Sequence, residues 1–215
     1  MALERLQIQY IIRLKTAIFP LALHELLTSL QKKGYELNPT IPMPLPTGRV
    51  DVGGPVARKG RTVVIVDSGT QHVGTIGESI ESTIESFREL ENQLLEDHRI
   101  KLGDFARFWA FTAFYLFTTK RKAYESVSNA FKLSRQEELS EVIGQPVSLF
   151  EFRIGGANLK VNDDNWFDIR ISPNVPRDDS YHIDVAFRNT DRRQTEAFMG
   201  AIESKLAKII ELIEG

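Results

Sequence analysis

The sequence predicts an α+β protein: antiparallel β-sheet with amphipathic helices packed on one face. Three observations predict it. Strand-like segments follow one another with no helix between them, as at Leu149–Ile154, Trp166–Ile171 and Tyr181–Phe187. Segments with a single apolar stripe at helical spacing close each half of the chain, at Ser79–Asp97 and again beyond Thr190. Runs of strands followed by helices, rather than strict strand–helix alternation, mark this class. The halves 1–103 and 104–215 each read as strand, helix, meander and closing helix. That parallel gives the expectation of two similar halves, a pseudo-duplicated and saddle-like sheet.

In the first half, Leu6, Ile8, Tyr10, Ile12 and Leu14 alternate with Gln7, Gln9 and Arg13. Period two reads as a half-buried strand. Thr16 can cap a helix whose first turn tolerates Pro20. Its stripe is Leu23, Leu26, Leu27 and Leu30, and Lys32, Lys33 and Gly34 suit its end. Pro39, Pro42, Pro44, Pro46 and Pro55 follow. Prolines so spaced cannot donate to a central ladder, so this is an extended surface loop or edge segment. Val50–Val52 and Val56–Arg58 face Thr62–Val66 across a turn at Lys59–Gly60. Gln71–Ile76 is a further strand after a turn at Ser68–Gly69. Ile80, Ile84, Phe87, Leu90 and Leu94 then define a long helix with Glu81, Glu85, Glu89 and Glu91 outside. Ser79 or Ser82 caps it, and Ser82 with Glu85 has the capping-box spacing.

The second half opens on Phe105–Phe117, apolar on both sides. Its aromatics favour a strand buried on both faces, although periodicity also permits a buried helix. Ala123–Phe131 reads as a helix with Tyr124, Val127 and Phe131 on one face. Ser134 caps a short helix with Leu139, Val142 and Ile143 turned inward and Gly144 as its stop. After the meander, Asn189 or Thr190 caps a last helix with the stripe Phe198, Ile202, Leu206, Ile209 or Ile210, and Ile213. This plan is similar to saddle-shaped duplicated folds such as that of the TATA-binding protein. No residue motif is shared, so the similarity is one of plan and carries no function.

Composition narrows the function classes. The 215 residues have a formal net charge of −2, and the pI is about 6.1. Bulk attraction to nucleic acid or an anionic membrane is therefore disfavoured. The sequence contains no cysteine, which excludes disulfides, thiolate metal sites and thiol catalysis. MALERLQIQY has no apolar leader core, and the longest apolar window falls short of the roughly 20 residues that a bilayer span needs. The expectation is a soluble, cytoplasmic protein without a cofactor or a bound metal.

The stretch VVIVDSGTQHVGTIGES, residues 63–79, invites three motif readings. Gly69 and Gly74 have the spacing of a phosphate loop, but Thr75–Ile76 stand where that loop needs Lys then Ser or Thr. Ile65–Val66–Asp67–Ser68–Gly69–Thr70 resembles the catalytic loop of aspartic proteases. The resemblance implies that Asp67 is half of a carboxylate dyad, yet no second copy of the motif exists. Asp67–Thr70 also resembles the phosphate hairpin of the sugar-kinase and actin-like family, which opens much longer chains. Turn chemistry accounts for the stretch more simply: Asp and Ser bond to local backbone and Gly permits positive φ.

The four histidines, His24, His72, His98 and His182, show no metal-ligand spacing. Pairing of like halves would bring His72 and His182 together, making Asp67, Thr70, His72 and His182 the candidate ligand-binding set. Asn162–Asn165 has the acidic look of a calcium loop but lacks the glycine and the distal glutamate. Lys120, Arg121 and Lys122, with Arg188, Arg192 and Arg193, are the candidate anion-binding residues. Arg192 and Arg193 stand near a helix N-terminus, where cations are unfavourable unless something anionic answers them.

Three functions follow. The first and favoured is a non-enzymatic interaction or assembly module, self-associating or binding a protein partner, supported by the amphipathic helices, the aromatic segment Phe105–Phe117 and the lack of a catalytic constellation; an exposed cluster at Trp109, Phe111 and Tyr115 would support it further. The second is a small-ligand binder or enzyme with a cleft between the halves, which convergence of Asp67, His72 and His182 in one cleft would support. The third is a nucleic-acid module on the sheet face, which needs the basic residues gathered on one side.

Overall fold

The computed structural model describes residues 2–15, 23–39, 53–67, 69–131, 135–158 and 160–215. The expected features at Thr16, Pro20, Ser68 and Ser134, and most of the proline-rich segment, lie outside the described residues. The elements are β1 (Ala2–Leu14), α1 (Leu23–Lys32), β2 (Glu36–Leu37), β3 (Gly53–Lys59), β4 (Thr62–Asp67), β5 (His72–Gly77), α2 (Ile80–His98), β6 (Ala106–Thr118), α3 (Ala123–Ala130), α4 (Gln136–Ile143), β7 (Phe152–Gly155), β8 (Trp166–Pro173), β9 (Ser180–Asn189) and α5 (Arg192–Glu214). Among the described residues, the nine strands join one antiparallel sheet in the order β2-β3-β4-β5-β1-β6-β9-β8-β7. The α+β class is thus as the sequence predicts. The sheet runs without a break across the 103/104 boundary, because β1 pairs with β6 along almost its whole length. The shared order of elements in the two halves does not by itself show an internal duplication.

Alternation assigns the two faces. Ile8, Tyr10 and Ile12 of β1, Phe111, Ala113 and Tyr115 of β6, and Ile183 and Val185 of β9 share one face and are buried. Against that face pack Leu26, Leu27 and Leu30 of α1, Phe87, Leu90 and Leu94 of α2, Val127 of α3, and Met199, Ile202, Leu206 and Ile210 of α5. The opposite face carries Gln9, Ile11, Arg13, Phe108, Ala110, Thr112, Asp184 and Arg188, and none of the described helices packs on it. The aromatic segment is therefore a strand from Ala106 on, with Phe105 ending a 3-10 turn at Leu102–Phe105. Both of its sides are apolar because Phe108 and Ala110 join a second small cluster with Ile11 and Ile65 on the open face.

Two glycines are dictated by packing. A Cβ on Gly74 would overlap the Tyr10 carbonyl oxygen and stand 2.7 Å from Ile11 Cα. One on Gly77 would collide with Thr83, where α2 begins against the sheet.

The caps correct several expectations. Ser79 alone is the N-cap of α2, and its reciprocal partner in the capping box is Ser82, not Glu85. Asp191 caps α5 by accepting from Arg193 N; Asn189 instead accepts from Asp191 N. The β3–β4 hairpin turns at Gly60–Arg61, one residue later than the pattern indicates, with Gly60 at φ 58°. Gly34 and Gly144 end α1 and α4 at positive φ as expected. The inward stripe of α4 is overturned: none of its residues is buried. Tyr124 and Phe131 are likewise exposed, while Val127 is buried.

Candidate functional site

The open face carries one ordered row of polar and aromatic side chains. Strand register places Asp67 of β4 opposite His72 of β5, His72 opposite Arg13 of β1, and Arg13 opposite Phe108 of β6. Beyond Phe108, Arg188 of β9 stands opposite Trp166 of β8. The Arg188 guanidinium carbon lies 5.3 Å from the Phe108 ring centroid and 5.1 Å from that of Trp166. The Arg13 carbon lies 5.8 Å from the same Phe108 ring. Six adjacent strands thus contribute one side chain each. Guanidiniums over ring faces gain from the ring quadrupole, which is the physical reason the row holds together.

The Asp67 end is turn chemistry, as the sequence analysis favours. Asp67 Oδ1 accepts from Thr70 N at 2.8 Å. That backbone bond, the Thr70 hydroxyl and the Gly69 amide hold the Asp67 carboxyl below its ordinary value. His72 Nδ1 lies 3.1 Å from Thr70 Oγ1. Burial pushes the His72 pKa down, and the Arg13 charge pushes it the same way. His72 Nε2 and Arg13 Nε are both buried without a hydrogen-bond partner. The Asp67–Thr70–His72 trio expected from sequence is therefore assembled, and Arg13 and Phe108 complete it.

His182 does not join it. It lies opposite Leu116 on β6, eight residues from Phe108, so roughly 26 Å of strand separates the two histidines. Its side chain is half exposed and sits 3.3 Å from Asp184. Antiparallel register, which runs the equivalent strands in opposite directions from the centre, puts the two ends apart rather than together.

The basic candidates scatter too. Arg188 is spent on structure: its Nε donates to Asp163 O at 2.7 Å and its Nη2 to Val161 O, pinning the β7–β8 connection. Arg192 faces the helical side, where its Nη1 is 2.7 Å from Glu91 and its Nε 2.7 Å from Glu196. Carboxylates thus answer the cation that looked misplaced at a helix start. Arg193 is exposed beside it. Lys120, Arg121 and Lys122 lie beyond the far end of β6, where Arg121 reaches Gly215 O at 3.4 Å and Lys122 pairs with Glu125. The two basic clusters form no common patch.

The calcium-like turn is absorbed by packing. Asp163 accepts from Lys160 N, Asp164 pairs with Arg107, and Asn165 accepts from Thr190 N. Among the described residues no group of three or more His, Asp or Glu stands in metal-binding arrangement. A polar cleft of about 470 Å³ lies between α1 and the end of α2, lined by His24, Lys32 and His98 among others. Ser29 crosses its floor, donating to Asp97 and accepting from Gln93 Nε2.

A second surface was not legible in sequence. On α4, Val142 is 85% exposed, Ile143 61% and Leu139 42%. Gln136 and Ser140 hydrogen-bond Val147, so α4 is stapled to the segment leading to Phe150. Phe150 is itself exposed and packs on Tyr124, with ring centroids 6.0 Å apart. By contrast Phe111 and Tyr115 are fully buried, so Trp109, Phe111 and Tyr115 do not form the exposed cluster that would have supported the assembly reading.

The chain matches no known protein family and no curated protein sequence. Among the described residues, no helix is long and apolar enough to cross a membrane.

Proposed function

We propose that the protein is a non-enzymatic interaction module that associates through the α4 end of the molecule. The observation that supports this is α4 itself, an amphipathic helix whose apolar side chains all face outward. Apolar side chains gathered on a surface and rimmed by charge mark association sites in soluble proteins, and Glu137, Glu138 and Glu141 supply the rim. The charged groups singled out in the sequence support the same reading, since Arg188 and Arg192 hold the fold together rather than meeting a substrate. The partner is a protein, a second copy of this chain being the first to test.

The test compares the wild-type chain with the double variant Val142→Asp, Ile143→Asp. Neither side chain is buried, so thermal unfolding is expected to stay unchanged. Sedimentation over a concentration series is expected to show a wild-type oligomer that the variant loses. A chain that stays monomeric throughout and captures the same partners with or without the substitutions would sink this reading.

A further inference from the structure

The row on the open face contains an uncompensated cation. The Arg13 guanidinium makes no hydrogen bond or ion pair among the described residues; it lies over the Phe108 ring and beside His72. Arg188 shares that ring; its hydrogen bonds go to the carbonyl oxygens of Asp163 and Val161, and the Asp164 and Asp163 carboxylates lie near enough to favour its charge. Two guanidiniums thus share one phenyl group and their charges oppose each other; the Asp163 and Asp164 carboxylates answer Arg188, while no carboxylate pairs with Arg13 among the described residues. Buried polar atoms without partners call for an explanation, commonly an absent occupant. Here two such atoms, Arg13 Nε and His72 Nε2, belong to directly paired residues of β1 and β5.

We propose that Arg13 and His72 form a recognition site for a small oxyanion, a phosphate or a carboxylate, on the open face of the sheet. Arg13 supplies the fork of donors that matches such a group. The hydrogen-bond chain behind His72 sets what the histidine adds. Thr70 Oγ1 stands 3.1 Å from His72 Nδ1; with the Thr70 proton turned to the Asp67 carboxylate, whose pKa that hydroxyl helps to lower, the oxygen accepts from His72 Nδ1–H. In the neutral ring, Nε2 therefore carries a lone pair. An anion seated on Arg13 favours protonation there, and the new Nε2–H donates to it. Anion binding takes up one proton at His72.

The groups facing His72 are Asp67 and Thr70 from the β4–β5 turn, Arg13 from β1 and Phe108 from β6, with Arg188 beyond that ring. Asp67 is already satisfied by the Gly69 and Thr70 amides, so it competes weakly for Arg13. The site is separate from the α4 surface and does not depend on it.

The experiment is an NMR titration of the full chain that follows the His72 ring signals against pH, in inorganic phosphate, in acetate and in neither. The expected result is a saturable shift, a rise in the His72 pKa on binding, and tighter binding at lower pH. His182, on the same face at the far end, serves as the internal control and is expected not to respond. Arg13→Gln is expected to weaken binding about tenfold or more; Arg13→Lys, which keeps the charge and loses the fork, falls between. A response to phosphate alone assigns a phosphoryl ligand, and a response to both assigns oxyanions generally. Absence of any saturable shift, an equal response at His182, or wild-type binding by a folded Arg13→Gln protein overturns the proposal.

Discussion

Arg192 Nη1 on α5 and Glu91 Oε2 on α2 stand 2.7 Å apart, largely screened from water. This contact ties the closing helix of one half to the closing helix of the other. Glu196 completes it by taking Arg192 Nε at 2.7 Å and Arg88 at 2.9 Å. Burial and the Arg192 contacts oppose each other at Glu91, and burial prevails, raising its pKa. At Glu196 burial is outweighed by two guanidiniums, and its pKa is lowered.

Removing Arg192 strands two partly buried carboxylates beside each other. Arg192→Ala is expected to destabilise the protein by about 2 kcal/mol, less than a fully buried pair would cost. Urea denaturation measures it. Combining it with Glu91→Gln is expected to cost less than the sum of the single changes, because the stranded charge is gone.

The glycines of β5 and α5 are expected to respond oppositely to alanine. Gly74→Ala drives a methyl group into the β1 backbone and is expected to cost about 2 kcal/mol or more. Gly200 is exposed inside α5 with nothing within 4 Å of an added Cβ. Gly200→Ala is expected to stabilise by about 0.5–1 kcal/mol, since only the unfolded chain's freedom is reduced. Thermal midpoints of the two variants decide this, and equal signs would contradict the sheet packing described.

Ser79 bonds Ser82 N and receives a bond in return. Ser79→Ala is expected to cost about 1 kcal/mol. Ser82→Ala is expected to cost a similar amount, whereas Glu85→Ala, outside the reciprocal pair, leaves the helix start unchanged. Equilibrium unfolding of the three variants separates the two possible capping boxes.

The lowered pKa of His72 makes stability depend on pH. Below the ordinary histidine value of 6.5, the unfolded chain takes up a proton more readily than the folded one. Stability is therefore full above that value and falls as pH drops from it toward the folded-state pKa. His72→Gln is expected to flatten that part of the profile. Denaturation midpoints between pH 5 and pH 7.5, for wild type and variant, would show it.

Much of the architecture was legible from periodicity, because α2 and α5 each bury a single regular face and β1 alternates along most of its length, Ile11 excepted. At α4 the same logic misled: a stripe at Leu139, Val142 and Ile143 says that one side is apolar, not that anything covers it. Phe105–Phe117 stayed ambiguous because the open face has its own apolar cluster, so alternation was blurred. In the site, Asp67, Thr70 and His72 were found since they are neighbours in one turn. Arg13, Phe108 and Trp166 were not, because only strand register brings them into line. Strand register also separates His72 from His182, which similarity of the halves had suggested would meet.

The pairing of β1 with β6 has a consequence for how the molecule comes into being. β1 precedes the other strands of the sheet in sequence, yet it sits in the middle of the sheet, and one of its two neighbours is complete only at Thr118. Until then its hydrogen-bonding edge is bare. During synthesis that edge is a template for any extended chain nearby, and closing so long a loop is slow. The segment 1–103 made alone would keep the edge open permanently. It is expected to be recovered as aggregate, and to become soluble when 104–215 is supplied in trans.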